Sequence, residues 1–258
     1  MLDKIVITYV YHSCYTVEIG EYFIIFDYFK GLLNIPDDKK VIFVASHGHS
    51  DHYTSEILKI PNMKDYTYLL SSDIGKLESD DNIIYIKNNK LGMDQLKSLY
   101  NSKNVYLLDP DESKDIKLGN DTISVKTFGS TDQGISILLF VNGISIFHSG
   151  DLNFWAWPDN DQETMQDEYD QLMKEIEKIK KYNIDISFFP VDYRLKENYY
   201  KGAEIFANEV KPQILFPLHS GDHEEITEKF AKEIKLDTTV FRPIFYKNQK
   251  IIVDINPE

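Results

Sequence analysis

The chain has 258 residues, 42% hydrophobic and 13% aromatic, the make-up of a folded globular protein and not of a disordered or low-complexity one. A formal charge of −14 with only two arginines, Arg194 and Arg242, argues against a broad nucleic-acid-binding face, which draws on clustered basic side chains. One cysteine, Cys14, permits no internal disulfide, and no run of about 18 apolar residues offers a membrane span. The amino terminus enters a strand pattern without the apolar core of a signal peptide, so a cytoplasmic protein is expected.

Val, Ile, Tyr and Phe at strand spacing predict strands over Ile5–Tyr11, Tyr15–Ile19, Tyr22–Tyr28 and Val41–Ala45, a meander punctuated by Gly20-Glu21 and Gly31. Short helices at Ser55–Leu58 and Met93–Tyr100 are expected next, with strands at Tyr66–Leu70, Ile83–Ile86 and Val105–Leu108. From Asp115 the pattern restarts, with strands at Ile116–Leu118, Thr122–Phe128, Ile135–Val141 and Ile144–His148 and hairpin signals at Gly119-Asn120 and Asn142-Gly143. Thr164–Tyr182 reads as an amphipathic helix with Met165, Tyr169, Leu172, Ile176 and Ile179 on one stripe. Strands Ile186–Phe189 and Ile214–Pro217 and helices Tyr200–Asn208 and Glu224–Ile234 follow. Two strand-rich halves, about 1–114 and 115–258, each with helices, imply an α+β fold of two sheets packed face to face within one domain spanning 1–258.

The densest chemical signal is His47-Gly48-His49-Ser50-Asp51-His52, directly after an apolar strand. At the end of a strand, side chains at i and i+2 face one side, so His47 and His49 are expected to grip one cation and Asp51 and His52 a second. Imidazole nitrogen and carboxylate oxygen form the ligand set of zinc and its divalent neighbours. Later strand ends offer partners. Ile144–Asp151 ends in His148-Ser149-Gly150-Asp151, where Gly150 lets the chain turn and Asp151 is placed to bridge two metals, or else to cap a turn. Ile214–His219 ends in a His that is either a ligand or a hydrogen-bonded core residue. Asp27 ends another strand and suits the role of fixing a ligand imidazole, with a simple turn acid as the alternative.

Together these pieces resemble the metallo-β-lactamase fold superfamily over nearly the whole chain. Asp27 corresponds to its first motif, His47/His49/Asp51/His52 to its second, Asp151 to its fourth and His219 to its fifth. The resemblance implies a four-layer αββα sandwich with a metal cleft at one edge. The segment Tyr11-His12-Ser13-Cys14-Tyr15 further resembles the branch of ascorbate-6-phosphate lactonase-like and N-acylphosphatidylethanolamine phospholipase-like proteins. One departure stands out: Ser130, in Thr127–Gly134, occupies the place where the third motif supplies a His. The first site is then either weak, completed by Asp132 or His148, or a relic.

The resemblance implies a metal-dependent hydrolase holding one or two divalent ions, zinc or else manganese or iron, and acting on a small ester, lactone, amide or phosphodiester. His47, His49, Asp51, His52, Asp151, His219 and Asp132 are the candidate ligands, with Asp27 and Ser130 behind them. Asp51 or Asp151 is expected to orient the nucleophile, and His12 or His148 to polarise or protonate the substrate. Trp155 and Trp157 wall a pocket or pack on the following helix. Asp192 and Arg194 line the cleft, with Arg194 binding an anionic group or forming a structural pair with Asp192. A nuclease-like phosphodiesterase and a non-catalytic metal- or ligand-binding protein remain the alternatives.

Overall fold

The computed structural model describes residues 4–60, 66–75, 98 and 104–255. The strand expected at Ile83–Ile86 and, but for Ser98, the helix expected at Met93–Tyr100 lie outside them. Among the described residues two seven-stranded sheets face each other, ordered, with strands numbered along the chain, β14-β1-β2-β3-β4-β5-β6 and β13-β12-β11-β10-β9-β8-β7. The first comprises β1 (Ile5–Tyr11), β2 (Cys14–Ile19), β3 (Tyr22–Phe26), β4 (Lys40–Ala45), β5 (Thr67–Ser71), β6 (Val105–Leu108) and β14 (Lys250–Val253). The second comprises β7 (Ser113–Leu118), β8 (Asp121–Phe128), β9 (Ser136–Val141), β10 (Ile144–His148), β11 (Ile186–Pro190), β12 (Ile214–Leu218) and β13 (Val240–Phe241).

Strand alternation sorts side chains between layers. From β1 Ile5, Ile7 and Tyr9, from β3 Tyr22, Ile24 and Phe26, and from β11 Ile186 and Phe188 fill the core between the sheets. The opposite faces of β3 and β4 pack Phe23, Ile25, Val41 and Phe43 against Ile57, Leu58 and Ile74. On the far side, Leu172, Ile176 and Ile179 of the helix Gln162–Ile179 cover Leu138, Phe147 and Phe189. The result is the αββα layering, with core strands buried on both faces and therefore nearly all apolar.

Within each sheet a meander passes into a parallel run: β3-β4-β5-β6 in the first and β10-β11-β12-β13 in the second. Parallel strands end on one edge, and loops beyond their carboxyl ends form the natural crevice of such a fold. Asp27, the 46–52 loop, Asp151, Asp192 and His219 follow β3, β4, β10, β11 and β12. Antiparallel pairing of β2 with both neighbours makes β1 run with β3, so the β1–β2 turn carrying His12 reaches the same edge. The β8–β9 loop carrying Ser130 and Asp132 reaches it likewise.

Several elements differ from the sequence reading. β3 stops at Phe26 rather than at Tyr28, because Asp27 turns into the left-handed region at φ 45°. The short helices Ser72–Gly75 and Tyr193–Asn198, two-residue β13 and β14 were not expected. β14 leaves the second half of the chain and pairs antiparallel with β1, so the boundary near residue 114 does not separate the sheets.

Candidate metal centre

The centre starts from Asp27, wholly buried at the end of β3. Its Oδ1 accepts the Ser46 N–H at 2.7 Å and its Oδ2 accepts the Ser46 hydroxyl at 2.7 Å. The same Oδ2 accepts His52 Nδ1–H at 2.7 Å. With its proton given to Asp27, the Ser46 hydroxyl accepts from His47 Nδ1–H at 2.9 Å. His219 Nδ1–H faces Asp192 Oδ2 at 3.3 Å. Arg194 Nη2 lies 3.1 Å from that nitrogen, but its guanidinium is committed to Asp192, where Nε meets both oxygens at 3.0 and 2.9 Å. Three imidazoles are thus tethered through Nδ1, which fixes their tautomers and turns Nε2 inward.

All three Nε2 atoms converge on Asp151. Its Oδ1 stands 2.7 Å from His219 Nε2 and 3.1 Å from His52 Nε2, and its Oδ2 3.4 Å from His47 Nε2. His47 Nε2 is buried with no hydrogen-bond partner. A buried orphan nitrogen is costly unless something else occupies its lone pair, and a divalent cation fits that position. Among the described residues, three sets bring donor atoms within 4.8 Å of one another: His47, His52 and Asp151; His12, His52 and His219; and His49, Asp132 and Asp151.

These sets group the residues differently from the expected pairs, His47 with His49 and Asp51 with His52, although the His47 and His49 rings lie 4.6 Å apart. The His49 carbonyl accepts the N–H of both His52 and Tyr53 at 3.0 Å, a tight turn that folds the His52 ring back to 4.2 Å from His47. His49 is left at the surface, its side chain 44% exposed and 4.0 Å from Asp132. Asp51 joins none of the sets; it lies 3.6 Å from His12 Nε2. His148 moves out of the site. Its Nε2–H donates to the Ser13 carbonyl at 3.0 Å, its Nδ1 accepts the Gly150 N–H at 3.1 Å, and its ring stacks on Phe26, so neither nitrogen is free for metal or substrate. The Ser130 hydroxyl accepts the Asp132 N–H at 3.2 Å as a local turn.

Burial disfavours charge on His52, yet Asp151 and Asp27 outweigh it and push its pKa up to about 10. Burial and the neighbouring His52 hold His47 down at about 4, and burial with His219 does the same to His12. Asp27 resists its own burial through His148 and His52 and titrates at about 2. Asp151 is likewise held well below the usual carboxylate range by His219 and His52, against its burial. One negative carboxylate thus faces a cage of imidazoles, two of which attract protons where a metal would compete.

Trp155 donates its indole N–H to the Asp151 carbonyl at 3.1 Å, and its ring lies 5.4 Å from His219. It stacks on Trp157 at 5.8 Å, and the Arg194 guanidinium stands 5.7 Å from the Trp157 ring. The tryptophans therefore border the site, and Arg194 takes the structural pairing with Asp192. His223 packs against Tyr193 in a tilted contact and pairs with Glu225, and it belongs to none of the ligand sets.

Sequence reasoning missed Ser46, whose hydroxyl links Asp27 to His47; its position between a strand and a His motif was the available signal. It also missed Asp73, whose Oδ2 accepts the Gly48 N–H at 2.8 Å and the Gln133 amide at 2.6 Å, tying the His loop to the Ser130 loop. His12, Asp27 and His219 have positive φ, strain of the kind that gathers at functional sites. Gly134, at φ +80°, lets that loop pass so close that a Cβ would sit 2.2 Å from the Ser46 carbonyl and 2.4 Å from His47 Cβ. Gly134→Ala is expected to lower stability by about 3 kcal/mol through strain and overpacking, read from urea midpoints. An unchanged midpoint would show that the loop yields.

Residues 6–219 match the family described as the beta-lactamase superfamily domain. The chain belongs to that family. A comparison with curated protein sequences finds no match. Among solved structures, the metallo-β-lactamase-type fold is shared with the metallo hydrolase Igni18 of Ignicoccus hospitalis at 13% identity, covering 98% of this chain and 100% of that one, TM-score 0.61. YhfI of Bacillus subtilis, a metallo-beta-lactamase fold protein, is similar at 14% identity over 97% and 100% of the two chains, TM-score 0.56. CmlA of Streptomyces venezuelae, a diiron beta-hydroxylase, is similar at 11% identity over 99% of this chain and 55% of that one, TM-score 0.56. The superfamily and the His/Asp cluster support divalent-metal chemistry of the hydrolase type. No helix among the described residues is long and apolar enough to cross a membrane.

Proposed function

We propose that the chain is a metal-dependent hydrolase of a small ester, lactone, amide or phosphodiester. The observation that carries this reading is the convergence of the Nδ1-tethered His47, His52 and His219 on Asp151, with the buried His47 Nε2 left without a partner. His47, His52, His219 and Asp151 would hold the first ion, and His49, Asp132 and Asp151 a second. Such a donor set favours zinc, with manganese or iron as the alternatives. A bound divalent ion supplies Lewis acidity and a water activated near neutral pH.

The chain's own groups do the rest. Asp27, Ser46 and Asp192 keep the imidazole tautomers fixed. His12, its Nε2 buried without a hydrogen bond and 3.6 Å from Asp51, is held neutral near pH 7 and is placed to bind a substrate oxygen, with Asp51 beside it. Trp155 and Trp157 limit access of water on one side. The β1–β2 turn at Tyr11–Tyr15 favours the lactonase-like and phospholipase-like branch. Both sheets contribute to the centre, which supports reading 1–258 as one domain. The buried free thiol of Cys14 and the acidity favour a cytoplasmic enzyme that does not bind nucleic acid.

The test is a panel of the four substrate classes, assayed with protein stripped by chelator and then reloaded. Reloaded wild type is expected to turn over at least one class, and His52→Ala to lose at least about a hundredfold of that rate. Metal bound tightly with no turnover on any class would replace the hydrolase by a non-catalytic metal-binding protein.

A further inference from the structure

Among the described residues, Lys30 and Lys247 lie over the Tyr11 ring and Arg194 stands near the Trp157 ring, and these cations are not equivalent. Arg194 is neutralised by Asp192 and Lys247 by Asp222. Lys30 forms no ion pair among the described residues, and Asp222 senses it only at longer range. Its Nζ stands 4.0 Å from the centroid of Tyr11 and 5.3 Å from that of Phe29, close enough for cation–π attraction.

Those two rings border the floor of the site: each lies 6.3 Å from His12, whose ring is 4.3 Å from His219. The Trp155–Trp157 stack also borders His219, with Trp155 5.4 Å from its ring. The His12–His219 floor is therefore bordered by two aromatic pairs. Lys30 is held at this rim by its own strap. Gly31, at φ +110°, approaches β1 so closely that a Cβ would meet Val10 Cγ1 at 2.7 Å, and the Tyr28 hydroxyl donates to the Gly31 carbonyl at 3.1 Å. On a chain of formal charge −14, an uncompensated cation fixed at the mouth runs against the overall sign and draws anions to that spot.

We propose that Lys30 determines specificity by binding an anionic group, carboxylate or phosphate, of a substrate whose planar or apolar body lies between the Tyr11–Phe29 and Trp155–Trp157 pairs. The ammonium keeps its N–H donors for the anion, since an aromatic face occupies none of them with an acceptor oxygen. The reacting end at His52, His219 and Asp151 rests on the function proposed above; the anion subsite does not.

Both tryptophans of the chain lie in the wall, so intrinsic fluorescence reports on this site. The probes are monomethyl terephthalate, phenyl phosphate and neutral methyl benzoate, titrated into metal-loaded and into chelated protein. Wild type is expected to bind at least one anionic probe about tenfold more tightly than the neutral one, as one charge-assisted contact provides. Lys30→Met should erase that preference and Lys30→Arg should keep it, in both metal states. The stronger of the two anionic probes tells carboxylate from phosphate. Equal affinities in wild type and Lys30→Met, or no binding of either anion to wild type, would overturn the assignment. A Lys30-dependent preference in a protein that hydrolyses nothing would sink the hydrolase reading alone.

Discussion

Asp151→Ala is expected to strip the centre of metal and lower turnover by about a thousandfold or more, the scale of losing a preorganised electrostatic group. Among the described residues, Asp151 is the one carboxylate that faces all three tethered imidazoles, at 2.7, 3.1 and 3.4 Å. Without it His47, His52 and His219 lose the carboxylate on their inward-facing nitrogens, and the protonated forms of His52 and His219 keep only Asp27 and Asp192 as counter-charges. Asp151→Asn separates charge from shape. It should fold with a near-native unfolding midpoint and still fail to retain metal, measured by elemental analysis after gel filtration. Full metal content in both variants would remove Asp151 from the centre and leave the converging imidazoles unexplained.

Asp27→Ala is expected to act on stability first. Asp27 is wholly buried and accepts from the Ser46 N–H, the Ser46 hydroxyl and His52 Nδ1–H. Truncation leaves those donors in an apolar interior, at a cost of about 3–5 kcal/mol, enough to unfold a marginal domain near physiological temperature. Asp27→Asn keeps the volume but offers one carbonyl where two carboxylate oxygens stood. It should fold, and bind metal about 10–100-fold more weakly, because the His52 tautomer is no longer enforced. Urea unfolding of the alanine variant and metal titration of the asparagine variant read the two effects separately. A native midpoint for Asp27→Ala would mean that water reaches Ser46 and His52 and meets their needs.

The strands that carry the centre were legible because their interiors are apolar on both faces and stop abruptly at polar residues. β4 into His47, β10 into Asp151 and β12 into His219 all show this. How closely the His motif folds back on itself was less legible. Spacing places Asp51 and His52 one loop turn beyond His47 and His49, and the turn closed on the His49 carbonyl brings the His52 ring to 4.2 Å from His47, with His49 at 4.6 Å. His148 misled for a related reason: its strand-end position suits a ligand, but its ring lies flat on Phe26 inside the core. β13 spans two residues and β14 four, too short for a period to show, and β14 finds its partner at the opposite end of the chain. Lys30 gave no local signal at all. Its meaning depends on which other cations at the mouth are already neutralised, and that is set by Asp192 and Asp222 far along the sequence.

Cobalt(II) titration of the chelated protein, followed by visible absorption and equilibrium dialysis, tests the central arrangement most directly. A centre built on His47, His52, His219 and Asp151 should bind cobalt with micromolar or tighter affinity, give ligand-field bands of a low-symmetry site, and release it to zinc. In His52→Ala the bands should disappear. Failure of the wild-type protein to retain cobalt or zinc under those conditions would contradict the assignment of these residues as a metal centre.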